Sequence, residues 1–347
     1  MFLLVAAAMA ATPDPKIING EAASSDEFPA AGGMIMDFGM QGQTYRAFMC
    51  SSTLIAPDTV LIAAHCLDEF ALTYGMFELE NVEVNWTRQA DLTAYANYEL
   101  VALPDDAVPA WDWVLHPSWD MQSLQTGLSL NYDLALIFLD EPVTDVDFVY
   151  LPTAEEAAQL SEGLEVTVVG WGQQSATNGW EQPPAGSYGI KQQGVSHINE
   201  LSDVEFQVGA VETDVRKCHG DSGGPSFAWL ETESADNMRV IGVTSHAYDA
   251  SDCNETGGVD TRVDYYLDWI DAEMRSRCED GSRAWCDEPG IPDPSLTEKE
   301  ETEQEVVLEE EGFFASRGCS SVPGSASFGL MAGLLGLVAL GRRRRQG

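Results

Sequence analysis

The chain is 347 residues long, and its 57 Asp and Glu residues outweigh 17 Lys and Arg residues to give a net charge of -40. A field this negative repels phosphate groups, so the composition argues against nucleic acid as a partner. Such acidity most often serves solubility, or tolerance of a salty medium whose counterions screen the self-repulsion; recognition by a specific partner is the weaker alternative.

Residues 1–11, MFLLVAAAMAA, form an apolar run that ends in small residues, which is typical of a signal peptide. The run has no basic residue at its start, and an apolar N-terminal helix is the alternative. Residues 12–16, TPDPK, are then predicted to be a short propeptide that its two prolines keep extended.

The patterns that follow predict mostly β-structure. Residues 32–64 alternate apolar and small residues with turn signals, as short antiparallel strands do. The excess length between Cys66 and Asn131 is interpreted as an enlarged loop, whose aromatic residues serve packing rather than the weaker alternative, substrate contact. Alternation over 132–138 predicts a strand, and 259–275 predicts the last strand and then a helix. The apolar face of this last segment is predicted to contain Val263, Tyr266, Leu267 and Ile270.

Three motifs in this region point to one chemistry. They are AAHC with His65, YDLAL with Asp133, and KCHGDSGGP with Ser222. A serine hydroxyl is a poor nucleophile at neutral pH and needs an adjacent base, which a histidine oriented by an acid supplies. Each motif alone has a structural alternative, such as a tight glycine turn or a structural histidine. Their occurrence together and in this order favours nucleophilic catalysis.

With Ile17-Ile18-Asn19-Gly20 after Lys16 as a fourth match, residues 17–278 resemble the chymotrypsin/trypsin-like serine protease family. The resemblance implies an all-β fold of two packed six-stranded antiparallel β-barrels with a C-terminal helix. It also implies a monomeric serine endopeptidase that acts on proteins or peptides and needs no metal or organic cofactor. A non-catalytic surface binding module on the same fold is the alternative.

The family mechanism implies a role for each motif residue. Ser222 attacks the peptide carbonyl, His65 shuttles the proton, and Asp133 holds His65 in the right tautomer. The N–H groups of Gly220 and Ser222 form the oxyanion hole, where a side chain at position 220 would obstruct the substrate. Ser245 matches the family serine that hydrogen-bonds the catalytic acid.

The base of the primary specificity pocket is implied to be Arg216, six residues before Ser222. An arginine there would repel basic side chains and clamp a carboxylate, which predicts cleavage after Asp or Glu. In the alternative, Arg216 turns away or is neutralised by Asp260 or Asp214. Positive charge near a bound acid is also expected from His219 and His246. The pocket residues are implied to be Arg216, Ser245, His246, Ala247 and Gly258.

Activation is implied to begin with cleavage after Lys16. The freed amino group of Ile17 would then pair with the acid before the nucleophile, here Asp221, so the protein is expected to be a zymogen. A protease that disfavours Lys at its cleavage position cannot readily cut this bond. A separate activating protease is therefore an expected partner.

The seven cysteines suggest an oxidising compartment. The bridges implied or expected are Cys50 to Cys66, Cys218 to Cys253, and Cys278 to Cys286. This scheme leaves Cys319 alone, and the C-terminal tail offers an explanation for it.

The tail has two parts. Residues 279–317 form an acidic, proline-bearing linker that is expected to stay solvated. Residues 318–347 hold Cys319, a short apolar run and four consecutive arginines, and resemble a MYXO-CTERM-type bacterial sorting signal. This implies export, membrane contact through the tail until it is processed near Cys319, and display at the bacterial cell surface or release. A simple tail anchor or an unprocessed tail is the alternative.

Overall fold

The computed structural model describes residues 18–174, 186–211, 213–232, 236–249, 256–279 and 281–283. The chain divides into two units, Met1–Thr297 and Glu298–Gly347, and all described residues belong to the first. The predicted signal peptide, propeptide and sorting signal, and the linker beyond residue 283, lie outside the described residues. The same holds for Lys16, Ile17, Cys253, Cys286 and Cys319.

Six antiparallel strands form the first barrel: β2 (Ala31–Met40), β3 (Gln43–Ala56), β4 (Thr59–Ile62), β5 (Glu80–Thr87), β6 (Val108–Leu115) and β7 (Ala135–Leu139). The barrel closes in the order β2-β3-β4-β7-β6-β5. The strand predicted from residues 132–138 is present as β7, and every residue of β7 is buried. A strand that is buried on both faces has no polar face, so its sequence does not alternate between apolar and polar residues.

The second barrel contains β8 (Glu165–Gly170), β9 (Gln192–Leu201), β10 (Glu205–Val208), β11 (Pro225–Trp229), β12 (Met238–Ala247) and β13 (Gly258–Arg262). These strands run in the order β9-β10-β13-β12-β11-β8, and pairing of β8 with β9 closes the barrel. A two-residue strand, β1 (Glu21–Ala22), pairs with β9 from outside. The prediction of two six-stranded antiparallel barrels is therefore confirmed.

Helices are short except at the C-terminal end of the domain. The α-helices are α1 (Glu69–Thr73), α2 (Ala154–Ala157) and α3 (Leu267–Glu279), and the 3-10 turns are Ala64–Cys66, Thr93–Tyr95, Met121–Ser123 and Val263–Tyr266. The predicted closing helix is present, and Val263, Tyr266 and Ile270 on its apolar face are buried. Among the described helices, none combines the length and apolarity needed to cross a bilayer.

Residues 66–131 contain β5, β6 and several short helices together with the segments that connect them. Their aromatic residues mainly pack, as expected: Trp86 is 1% exposed in the core of the first barrel. Tyr98 is an exception at 48% exposure. Barrel strands and short helices thus account for part of this stretch, and the enlarged loop stays a prediction.

Candidate active site

Two neighbouring strands of the first barrel bring His65 and Asp133 together. In the antiparallel pair of β4 and β7, Ile62 lies opposite Ala135. The turn Ala64–Cys66, which carries His65, begins just after β4, and Asp133 lies just before β7. Both side chains therefore lie at the same edge of the barrel.

The carboxylate of Asp133 accepts hydrogen bonds from two other residues. Its Oδ2 lies 2.8 Å from His65 Nδ1 and accepts a 2.6 Å hydrogen bond from Ser245 Oγ. Its Oδ1 accepts a 2.9 Å hydrogen bond from the backbone N–H of His65. An ionised carboxylate only accepts, so Nδ1 carries the proton in neutral His65 and Nε2 keeps a free lone pair. His65 is thus oriented to act as a base through Nε2.

Electrostatics favour opposite charges on this pair. Burial lowers the pKa of His65, but the charge of Asp133 and the hydrogen bond to it outweigh burial and raise the pKa above 6.5. Burial raises the pKa of Asp133, but the charge of His65 and hydrogen bonds from His65 and Ser245 outweigh burial and lower the pKa. Asp133 therefore stays ionised and stabilises a protonated His65.

Ser222 lies on a loop that packs against the chain leading to His65. Its carbonyl oxygen accepts a 2.9 Å hydrogen bond from the backbone N–H of Ser51. Gly223 has a φ of +76°, and a Cβ there would lie 2.4 Å from the Ser51 oxygen and 3.2 Å from the Ala63 nitrogen. Within the described residues, no hydrogen bond joins Ser222 Oγ to His65 Nε2. Contacts between a nucleophile and its base are often long before substrate binds.

Two backbone N–H groups of this loop point to an oxyanion site. Three other residues of the loop donate their N–H groups to protein carbonyl oxygens at 2.8 to 2.9 Å, namely Asp221, Gly223 and Gly224. In the part of the chain that the structure describes, the N–H groups of Gly220 and Ser222 have no such acceptor. Gly220 has a φ of +92°, and a Cβ there would lie 2.4 Å from the ring of Tyr188. Backbone conformation and packing thus both require this glycine.

Asp221 is buried and held by backbone donors. Its Oδ1 accepts from the N–H of Gly172 and its Oδ2 from the N–H of Cys218, each at 2.8 Å. Burial raises the pKa of Asp221 to about 6, although the two N–H groups and nearby Lys217 oppose the shift. Ile17, its expected partner, lies outside the described residues. An ammonium group next to Asp221 would stabilise the charged carboxylate.

Arg216 has neither of the acidic partners considered from the sequence. Its Nε donates a 3.0 Å hydrogen bond to the carbonyl oxygen of Gly209. Among the described residues, no carboxylate lies within ion-pair distance of its guanidinium. The two candidate acids are engaged elsewhere, Asp260 with Lys217 and Asp214 with His197.

The ion pair next to Arg216 was missed by sequence reasoning. Lys217 Nζ lies 2.7 and 2.9 Å from the two oxygens of Asp260 and 2.9 Å from Ser226 Oγ. Their side chains are 3% and 0% exposed, respectively. Burial lowers the pKa of Lys217, and the charge of Asp260 opposes this shift. The pair neutralises Lys217 and leaves the charge of Arg216 uncompensated by a described carboxylate.

Four of the expected pocket residues lie on two paired strands, Ser245, His246 and Ala247 on β12 and Gly258 on β13. Ala247 on β12 lies opposite Gly258 on β13. His246 Nδ1 lies 3.0 Å from Ser245 Oγ, and its Nε2 lies 3.2 Å from the carbonyl oxygen of Gly127. The strand that carries Ser245 is thereby connected to the segment before Asp133.

Burial opposes the positive charge expected from two histidines. Burial lowers the pKa of His219 and that of His246. Both imidazoles are therefore neutral at pH 7. Arg216 remains as the cationic residue of the predicted pocket.

For one predicted disulfide, both cysteines lie within the described residues. Cys50 and Cys66 are bonded, which fixes the turn with His65 to β3. Cys218 and Cys278 each take part in a disulfide bond as well. Their predicted partners, Cys253 and Cys286, lie outside the described residues, so those two pairings stay predictions.

A second contact beside His65 was also missed. Trp119 Nε1 donates a 2.7 Å hydrogen bond to Asp68 Oδ2, and the Trp119 ring centre lies 6.5 Å from that of His65. Asp68 also caps α1 by accepting from the N–H of Phe70. The residues Asp68 and Trp119 are 51 positions apart, so no local pattern could have paired them.

Comparisons with known proteins agree with this geometry. A family model described as Trypsin matches residues 17–270. Mouse Tryptase is 31% identical over 247 residues, which cover 65% of this chain and 79% of Tryptase. CLIP domain-containing serine protease B10 of Anopheles gambiae is 32% identical over 280 residues, or 75% of this chain and 70% of that protein. Melanization protease 1 of Drosophila melanogaster is 27% identical over 275 residues, or 75% and 66%.

Proposed function

The chain belongs to the trypsin family and is a serine-type endopeptidase, and on that premise we propose that His65, Asp133 and Ser222 are its catalytic triad. The observation that carries the proposal is the contact between His65 Nδ1 and Asp133 Oδ2 at 2.8 Å. It leaves His65 Nε2 as the basic atom on the side of the ring away from Asp133.

The reaction then has two steps. Ser222 Oγ attacks the peptide carbonyl while His65 Nε2 takes its proton, and the negative oxygen of the intermediate binds the N–H groups of Gly220 and Ser222. His65 returns the proton to the leaving amine, which leaves an acyl-enzyme. Water activated by His65 hydrolyses the ester and restores Ser222. Asp133 stays ionised throughout and stabilises the imidazolium.

We further propose cleavage after Asp or Glu. Arg216 has no carboxylate partner among the described residues, whereas the neighbouring Lys217 is neutralised by Asp260. A substrate carboxylate that reaches the base of the pocket would supply the missing counter-charge. A basic substrate side chain would be repelled.

The protein is proposed to be an exported zymogen. The disulfide between Cys50 and Cys66 fits an oxidising compartment. The buried carboxylate of Asp221 fits a partner ammonium from Ile17 after an activating protease cuts at Lys16. The sorting-signal resemblance of residues 318–347 supports display at a bacterial cell surface or release. A non-catalytic binding module finds no support in the comparisons.

Cleavage-site profiling tests these proposals. Protein cut after Lys16 is incubated with a diverse peptide library, with Ser222→Ala as the control for contaminating proteases and Arg216→Gln as the control for pocket charge. We expect cuts after Asp and Glu that vanish in Ser222→Ala and lose this preference in Arg216→Gln. Cuts after Lys or Arg would overturn the acidic preference alone. Equal cutting by Ser222→Ala would overturn the triad.

A further inference from the structure

A buried carboxylate lies beside the segment that leads into Asp133. Glu205, the first residue of β10, is 1% exposed. Its Oε2 accepts a 2.7 Å hydrogen bond from the backbone N–H of Ser129, and its Oε1 accepts a 3.1 Å hydrogen bond from Asn131 Nδ2. Within the described residues, no basic side chain forms an ion pair with it. A single side chain of the second barrel thus accepts two hydrogen bonds from this segment.

Asn131 makes the segment a closed loop. Its Oδ1 accepts from the N–H of Gln125 at 2.9 Å, and its Nδ2 donates to the carbonyl oxygen of Gln125 at 3.1 Å. Midway along the loop, the N–H of Gly127 donates to the carbonyl oxygen of Tyr248 at 3.0 Å. Residues 125–131 are therefore tied to β10 and to the end of β12, and Asp133 follows two residues later.

We propose that Glu205 is a positioning residue for the catalytic reaction. Its carboxylate holds residues 125–131 against the second barrel, and so fixes Asp133, and through it His65, relative to Ser222. The proposal rests on the triad proposed above. It concerns a residue that does not touch the substrate.

The bonding requires an ionised carboxylate. Both neighbours of Glu205 are donors, the N–H of Ser129 and the amide of Asn131. Asn131 cannot turn its oxygen toward Glu205 without breaking the bond from Gln125 to that oxygen. A protonated Glu205, or a glutamine in its place, would turn an O–H or N–H group toward the N–H group of Ser129 or of Asn131. The loop would then lose one of its two bonds to Glu205.

Titration of this group falls near neutral pH. Burial raises the pKa of Glu205 to about 7, and the donors Ser129 and Asn131 oppose this shift. The ionisable groups that face it are Asp133 and Tyr266. On neighbouring β13, the guanidinium of Arg262 is bound to Asp264 and to the carbonyl oxygen of Ser202 instead. Activity should therefore need two deprotonations, of Glu205 and of His65.

The test compares Glu205→Gln with Glu156→Gln, both in full-length protein cut after Lys16. Glu156 is a matched control because its carboxylate is also buried, but it pairs with Arg239 and not with the segment that leads into Asp133. For each protein, kcat and KM for a peptide substrate are measured from pH 5 to 9, with melting temperature. Glu205→Gln is expected to lower kcat about tenfold with little change in KM.

The pH profile separates positioning from plain stability. In wild type, the slope of log(kcat/KM) against pH on the acid side should exceed one near the pKa of Glu205, and in Glu205→Gln it should fall to one. Glu156→Gln should lower the melting temperature but keep the wild-type kcat and slope. Wild-type kcat and slope in Glu205→Gln would overturn the proposal.

A second variant covers the case in which Glu205→Gln does not fold. Asn131→Ala removes one donor from Glu205, so the acid limb of the profile should move to higher pH. An unmoved limb would overturn the proposal. Ser222→Ala is assayed in parallel: if it is inactive, wild-type behaviour of the Glu205 variant rejects only the role of Glu205. Activity of Ser222→Ala would reject the triad as well.

Discussion

Ser245 and His65 share a single oxygen of Asp133: Ser245 Oγ donates to Oδ2 at 2.6 Å, and His65 Nδ1 lies 2.8 Å from the same atom. Ser245 comes from β12 of the second barrel, whereas Asp133 and His65 belong to the first. Ser245 therefore connects the carboxylate of the candidate triad to the second barrel. Removal of the Ser245 hydroxyl should therefore weaken the hold of Asp133 on His65.

Ser245→Ala should lower kcat/KM about tenfold, because a hydrogen bond to a charged group is worth ~1.5–3 kcal/mol and Asp133 would hold His65 less firmly. Steady-state kinetics on a peptide substrate measure the change. Ser52→Ala is the matched control, since its buried hydroxyl donates to the carbonyl oxygen of Gly32 and not to Asp133. Equal losses in both variants would show that Ser245 acts only through stability.

The pH dependence of Ser222 acylation should follow His65. Asp133 raises the pKa of His65 above 6.5, so acylation should be lost with acid on a limb above that value. In Asp133→Asn the raising charge is gone and burial lowers the pKa of His65, so the part of the limb that His65 sets should move below 6.5. The rate at neutral pH should fall on the order of 10⁴-fold, as in the family's triad template.

Acid should affect stability in the opposite direction through His65. A histidine whose folded pKa is raised contributes stability that is fully present below 6.5 and is lost as the pH rises through the folded pKa. Urea unfolding of Ser222→Ala and of His65→Gln in that background measures this contribution. The stability difference between them should shrink from pH 6 to pH 8. A difference that grows over this range would contradict the raised pKa.

Lys217→Met should destabilise the fold by ~3–5 kcal/mol, because it strands the buried charge of Asp260. The double variant Lys217→Met with Asp260→Leu should recover most of this loss. Arg216→Met, next along the chain, removes a cation without stranding a described carboxylate and should cost less than ~1 kcal/mol. Denaturant unfolding distinguishes these cases, and an equal cost at both positions would contradict the buried pair.

Lys16→Gln should give a folded precursor that is neither cut nor active, because Asp221 would lack the ammonium of Ile17. Lys16→Arg keeps a basic cleavage position and should still be cut by a trypsin-like activator. The assays are N-terminal sequencing and peptide hydrolysis after addition of the activator. Full activity of uncut Lys16→Gln would contradict the zymogen proposal.

The sequence predicted what local motifs encode. His65 and Ser222 lie in short motifs whose residue types indicate nucleophilic catalysis. The two-barrel fold was then predicted from the family that these motifs resemble. Pairs of residues that only the tertiary fold brings together could not be predicted. Lys217 and Asp260 are 43 positions apart, and Asn131 and Glu205 are 74 apart. The sequence around a charged residue in a strand does not show which residue it pairs with. Asp260 was therefore considered as a partner of Arg216 rather than of Lys217.

Burial changed the chemistry assigned to other residues. His246 looked cationic by residue type, but burial lowers its pKa and leaves it neutral. β7 was predicted as a strand, but its sequence did not show that all five of its residues are buried. Solvent exposure is a property of the packed barrels, so these two features required the structure.

Covalent labelling of the nucleophile tests the central claim most directly. The protein, cut after Lys16, is treated with a peptidyl phosphonate that carries an acidic side chain at the cleavage position, and the modified peptide is located by mass spectrometry. The triad predicts one adduct on Ser222, loss of peptide hydrolysis in proportion to labelling, and no adduct in Ser222→Ala or His65→Gln. Undiminished hydrolysis by Ser222→Ala, or an adduct on another residue that abolishes activity, would contradict it.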